Sequence, residues 1–155
     1  MFAIHLQVEA IHYSNTKSFS KRRLWIFMKV YKPEDMNSAF ADAFNSGNIE
    51  NLMALYEPTA VLVPIPGKVV EGLEAIRSAL QELLALKAHM ISENQYALVN
   101  GDIALLRAKV HLVGSAPDGS RLEINNHTAE VVRRQADGSW LYILDHPYGA
   151  DPLEA

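Results

Sequence analysis

Two acidic residues stand where a pair of strands should be apolar. Glu130 to Gly149 reads E-V-V-R-R-Q-A-D-G-S-W-L-Y-I-L-D-H-P-Y-G. Two runs rich in β-branched and aromatic residues flank Ala136-Asp137-Gly138-Ser139, and Asp-Gly suits the two-residue turn of a β-hairpin. With Asp137-Gly138 at the tip, 136 faces 139, 133 faces 142 and 130 faces 145. Glu130 then lies opposite Asp145. Two carboxyl groups held together on a buried face raise the proton affinity of at least one, which sets a general acid beside a general base. The same positions also fit a structural ion cluster with Arg107, Lys109 or Arg134, because a buried charge is costly without a partner.

Alternation along the hairpin sorts its side chains. Trp140, Tyr142, Leu144 and His146 share one face with Val131 and Arg133. Leu141, Ile143 and Asp145 share the other with Glu130, Val132 and Arg134. Asn126 and Thr128 follow the parity of Glu130 and suit either orienting a ligand or tying down backbone.

Other chemistries find less support. The 155 residues include no cysteine, which removes disulfides, thiolate metal sites and cysteine nucleophiles. His89, His111, His127 and His146 all fall on predicted strands. They show no H-x-H or H-E-x-x-H spacing, and His111 and His127 fall on opposite parities, so no metal site is expected. No Gly-rich phosphate loop and no G-x-S-x-G is present. A formal charge of −4 gives no footprint for nucleic acid. No apolar run approaches the roughly 20 residues that span a bilayer. Lys21-Arg22-Arg23 before Leu24 to Met28 imitates a signal peptide, but the apolar run is shorter than the roughly 7–15 residues a secretory segment needs. A cytoplasmic location is expected.

The elements that must position these groups follow in order. Pro33, Glu34 and Asp35 open a first helix whose stripe is Met36, Phe40, Ala43 and Phe44. Gly47 ends it and Asn48 caps a short second helix with Ile49, Leu52, Met53 and Tyr56 on one side. Pro58 closes that helix. Ala60 to Val63 reads as a strand stopped by Pro64-Ile65-Pro66-Gly67, and Gly72 opens a third helix carrying Leu73, Ile76, Leu80, Leu83 and Leu84. Four long strands follow, over 89–99, 103–113, 121–135 and 139–146. Helices first and antiparallel strands after make an α+β fold, one curved sheet with helices on one face.

Within the second long strand, Ala104, Leu106, Ala108, Val110 and Leu112 form a wholly apolar set. A simple loop over Gly114 to Ser120 joins them to Ala129, Val131, Trp140 and Tyr142, although a bulge would invert the pairing. Read as an uncovered apolar face, this set predicts a homodimer through Ala104, Leu106, Val110, Val131, Trp140 and Tyr142.

Helix, short helix, strand, helix and four long strands is the order of the nuclear transport factor 2 (NTF2)-like superfamily. The segments G-N-I-E-N-L-M-A-L-Y-E-P-T-A-V-L-V-P-I-P-G and E-G-L-E-A-I-R-S-A-L, with the final hairpin, resemble its DUF4440 and SnoaL-like branch. The resemblance covers about 33–152. It implies a cystatin/NTF2-like cone, a curved antiparallel sheet wrapped around three helices with an internal pocket. On this division 1–32 is an N-terminal extension, 33–152 the domain and 153–155 a tail. The fold serves isomerases, cyclases, hydrolases, dehydratases and non-enzymes alike.

Residue by residue, the resemblance is selective. Ketosteroid isomerases place a general-base aspartate before a proline at the end of the first strand, where this chain has Val63. Their oxyanion tyrosine matches Phe40, and their second oxyanion acid falls near Glu130. Limonene epoxide hydrolases hold an arginine between two aspartates; Arg107 and Asp145 match two of the three, and Lys109 stands at the third. SnoaL-type cyclases use one acid near the end of the sheet, a role open to Asp145. The resemblance therefore implies a cofactor-free acid–base pair, Asp145 and Glu130, in a pocket walled by Tyr56, Val63, Arg107, Asn126, Thr128 and Ile143. Its ligand would be a small, largely apolar organic molecule. The alternative is a non-catalytic ligand-binding, dimerisation or protein-interaction module.

Overall fold

A computed structural model describes residues 29–116 and 118–150. A 3-10 turn over Pro33–Asp35 leads into α1 (Met36–Asn45), α2 (Ile49–Met53), β1 (Tyr56–Ile65), β2 (Lys68–Glu71) and α3 (Leu73–Ala85). Five strands complete the fold: β3 (His89–Asn100), β4 (Ile103–Ser115), β5 (Arg121–His127), β6 (Ala129–Arg134) and β7 (Trp140–His146). All seven strands form one sheet in the order β2-β1-β7-β6-β4-β3, with β5 on the far half of β4 beyond β6. Every pairing is antiparallel except β1 with β7, which is parallel. No described helix is long and apolar enough to cross a membrane.

The helices behave as their patterns require. Met36, Ala43 and Phe44 of α1, Leu52 and Met53 of α2, and Ile76 and Leu80 of α3 are buried. Asn48 accepts the Glu50 N–H at 3.0 Å as an N-cap, and Gly47 takes the left-handed backbone (φ +67°) that ends α1. Tyr56 departs from expectation. It starts β1 rather than ending α2, since α2 stops at Met53 and the Tyr142 N–H reaches the Leu55 carbonyl at 2.8 Å. The strand β2, also not foreseen, is the return of the Pro64–Gly67 turn. The expected strand over 121–135 is divided at Thr128. Its N–H donates to the Ala108 carbonyl and its hydroxyl accepts the Ala108 N–H, both at 2.9 Å, so β4 passes from β5 to β6 without losing bonds.

The final hairpin corrects the predicted faces. Its tip is one residue longer than a two-residue turn: Gln135 N–H bonds Ser139, Gly138 N–H bonds Gln135, and Gly138 is left-handed (φ +85°). Pairing therefore starts as Arg134↔Trp140 and Val132↔Tyr142. A bulge at Ile143 then adds one residue to β7, and Val131↔Leu144 and Glu130↔Asp145 follow. The two shifts cancel for the carboxylates but not for the aromatics. Trp140 and Tyr142 lie on the same buried face as Glu130 and Asp145.

The predicted dimer face is overturned with them. Ala104, Leu106, Ala108, Leu112, Trp140 and Tyr142 are buried in the core the helices cover, and Val110 packs against that core. Only Val131 of the set faces outward, in register with Leu105 and Leu144. The expected N-terminal extension lies outside the described residues up to 28, and the tail 153–155 lies outside them entirely. From residue 29 the chain is structural: Val30 is buried, and its carbonyl accepts the Trp140 N–H at 2.7 Å.

Candidate functional site

Between the concave side of the sheet and helices α1 and α3 lies a cavity of about 290 Å³. Its walls are apolar, including Phe40 from α1, Leu80 and Leu83 from α3, Met90 from β3 and Ile124 from β5. At one end they give way to Asn37, Thr128, Glu130, Tyr142 and Asp145. Burial is nearly complete there, with Glu130 3% and Asp145 5% exposed.

A chain of hydrogen bonds orients these groups. The Tyr142 hydroxyl donates to Asn37 Oδ1 at 2.8 Å, and Asn37 Nδ2 donates to Glu130 Oε2 at 3.2 Å. The Tyr56 hydroxyl donates to Asp145 Oδ2. Burial lifts both phenols well above their ordinary pKa, so they remain protonated donors. Phe40, Tyr56 and Tyr142 pack edge-on or tilted, with ring centroids 5.3 to 6.5 Å apart, and this holds the hydroxyls in place.

The electrostatics follow from burial without a counter-ion. Burial, and then the Asp145 charge, push Glu130 up to about 8, against partial relief from hydrogen bonds to Thr128 and Asn37. Burial raises Asp145 to about 6, and the Tyr56 hydroxyl pulls it part of the way back. Like charges this close cannot both ionise cheaply, so the pair titrates as a unit and holds one proton near neutrality.

The structural ion cluster considered from sequence does not form around this pair. Arg107 lies on the outer face of the sheet, its guanidinium 3.5 Å from the Ala150 carbonyl. Lys109 is in register with outward-facing His127, and Arg134 bonds Asp102 at 2.7 Å. Among the described residues, neither Glu130 nor Asp145 has a cation against it.

Of the predicted wall residues, Asn126 and Thr128 line the cavity and Tyr56 lies beneath its polar end. Arg107 does not, because its parity turns it outward. Val63 also misses; its neighbours Leu62 and Pro64 line the cavity instead. Ile143 is the bulge residue and contributes spacing rather than a wall. Asn37 was missed, although Asn37, Phe40, Ala41 and Phe44 follow i, i+3, i+4, i+7 and place its amide on the buried stripe. Tyr142 was missed because the bulge has no sequence signature. His111 and His127, expected on opposite faces, share the outer one, and the described residues hold no cluster of metal-ligating side chains.

Comparison with known proteins agrees with this architecture. A ketosteroid isomerase-like protein from Erwinia carotovora atroseptica superposes with TM-score 0.64 at 20% identity, covering 72% of this chain and 88% of its own. A candidate dehydratase of the NTF2-like family from Streptomyces avermitilis gives 0.62 at 20% identity, over 74% and 93%. A candidate calcium/calmodulin dependent protein kinase II association domain from Xanthomonas campestris gives 0.65 at 20% identity, over 83% and 98%. At these identities the likeness is one of fold. A search of the curated proteins finds no match. Residues 38–143 match the model of the SnoaL-like domain, and the chain belongs to that family, within the NTF2-like superfamily.

Proposed function

We propose that the protein binds a small, largely apolar organic molecule in this cavity and moves a proton on it, with Asp145 as base and Glu130 as acid. The observation that carries the reading is the register pairing of two buried carboxyl groups at the polar end of an apolar cavity, with no cation against them among the described residues. Such a pair can take a proton from one substrate atom and return one to another, the step shared by isomerisation, dehydration and ring closure. The chemistry needs no group beyond the pair. Tyr56 favours the ionised form of Asp145, while Asn37 and Thr128 hold the Glu130 carboxyl in place. The names of two fold neighbours, a ketosteroid isomerase-like protein and a candidate dehydratase, fall in the same reaction class.

The test begins with crystals soaked in a library of small organic molecules. Any compound bound in the cavity is then assayed for turnover by the wild type, Asp145→Asn and Glu130→Gln. Turnover should vanish in both variants while the fold persists. NMR titration of wild-type carboxyls should show at least one well above the free value of about 4. Two carboxyls titrating at ordinary values would sink the reading.

A second observation supports self-association on the opposite side of the sheet. Leu98, Leu105, Val131, Leu144 and Val61 are in register across five strands on the outer face. Leu98, Leu105 and Leu144 are 60%, 40% and 38% exposed. An aliphatic row of this length fits burial against a second copy.

A further inference from the structure

The cavity carries charge of one sign only. Among its described lining residues the ionisable groups are Glu82, Glu130, Asp145, Tyr142 and Tyr148, and none is a lysine, arginine or histidine. Tyr56, which bonds Asp145 beneath the polar end, brings a phenol and no cation. The amides Asn37 and Asn126 and the hydroxyls of Ser92 and Thr128 supply the remaining polarity. Arg107 and Lys109 belong to the outer face, and Arg134, at the far end of β6, bonds Asp102 at 2.7 Å. An anion entering this cavity would lose its water in an apolar channel and meet a carboxylate at the end of it. Neither cost has an offset in the lining.

We infer that the cavity takes uncharged molecules that lead with a single polar group, and rejects carboxylates, sulfonates and phosphate esters. The exclusion of anions rests on the lining alone. The choice of an uncharged ligand over an ammonium rests on the acid–base reading, since a cation beside Glu130 would strip the proton that reading requires. Substrates of this class arrive free, and a reaction that leaves its product as a phosphate ester or a carboxylate is not the preceding step.

Two fluorescent probes share one skeleton and differ by a sulfonate: neutral N-phenyl-1-naphthylamine and anionic 1-anilinonaphthalene-8-sulfonate. Titrated into the wild-type protein at pH 7.5 (about the neutral range), the neutral probe should bind roughly 10- to 100-fold more tightly, as expected for like charges several ångströms apart in a medium of intermediate dielectric. Glu130→Gln combined with Asp145→Asn should close most of that gap by strengthening sulfonate binding. Leu83→Trp fills the cavity and should abolish binding of the neutral probe, which separates the cavity from the outer aliphatic row. Equal or tighter sulfonate binding by the wild type overturns the proposal. So does absent neutral-probe binding, or binding that survives Leu83→Trp. The wild-type comparison stands even if the double variant does not fold. Since it measures binding and not turnover, its failure leaves the proton-transfer reading to be judged by the carboxyl titration.

Discussion

At the scale of the residue, the protein keeps a destabilising pair at the centre of its core. Both acids have folded pKa values above their unfolded ones, about 8 against 4.5 for Glu130 and about 6 against 3.8 for Asp145. Between about pH 4 and 8 the folded state therefore holds protons that the unfolded chain has released, and stability falls as pH rises across that window. Below about pH 4 this contribution is absent. Chemical denaturation of the wild type should show the decline, on the order of a few kcal/mol in all. Glu130→Gln, which cannot ionise, should flatten it and be as stable as the wild type or more so at pH 8, at the expense of function. A pH-independent wild type would contradict the pairing. Tyr56→Phe acts in the opposite direction, removing the donor that favours ionised Asp145. It should raise the Asp145 pKa in an NMR titration and cost roughly 1.5–3 kcal/mol at neutral pH, as for a hydrogen bond to a charged group.

At the scale of the element, the site depends on small departures from regular structure, and these are what the sequence conceals. The pairing of Glu130 with Asp145 was legible, but it survived through two compensating errors. The turn is one residue longer than its Asp-Gly suggests, and β7 gains one residue at Ile143. Nothing about an isoleucine between a tyrosine and a leucine marks a bulge, so Trp140 and Tyr142 were read onto the wrong face. The helical stripes were legible because apolar spacing of three and four recurs over each helix. The close approach after β7 has a subtler cause. Gly149 packs so tightly that an added Cβ would lie 2.8 Å from Ala129 Cβ and 3.0 Å from His146 Cγ. The turn it belongs to places Tyr148 against the cavity. Gly149→Ala should therefore destabilise the fold by roughly 1–3 kcal/mol in denaturant titrations, as overpacking does. It should also weaken binding of any cavity ligand. Unchanged stability and unchanged affinity would show that the turn yields freely.

At the scale of the whole molecule, one sheet separates two surfaces of different character. Its concave side turns Ala104, Leu106, Ala108 and Leu112 of β4 toward the helices, and its convex side presents Leu105 between Leu98 and Val131. Adjacent leucines in one strand thus test both surfaces. Leu106 is fully buried in the core, so Leu106→Glu strands a charge without a partner and should leave the protein unfolded or aggregated. Leu105→Glu adds a charge on the solvent side, where the monomer has no objection to it. Combined with Leu144→Glu, it places two carboxylates in the aliphatic row, and a symmetric contact would bring both together with their copies. Repulsion and desolvation then oppose association while the fold remains intact. Analytical ultracentrifugation should find the wild type dimeric at micromolar concentration and the Leu105→Glu/Leu144→Glu variant monomeric, with matching circular dichroism spectra. A wild-type monomer would leave the aliphatic row without a partner of its own kind. A dimer that persists in the variant would place the contact elsewhere on the molecule.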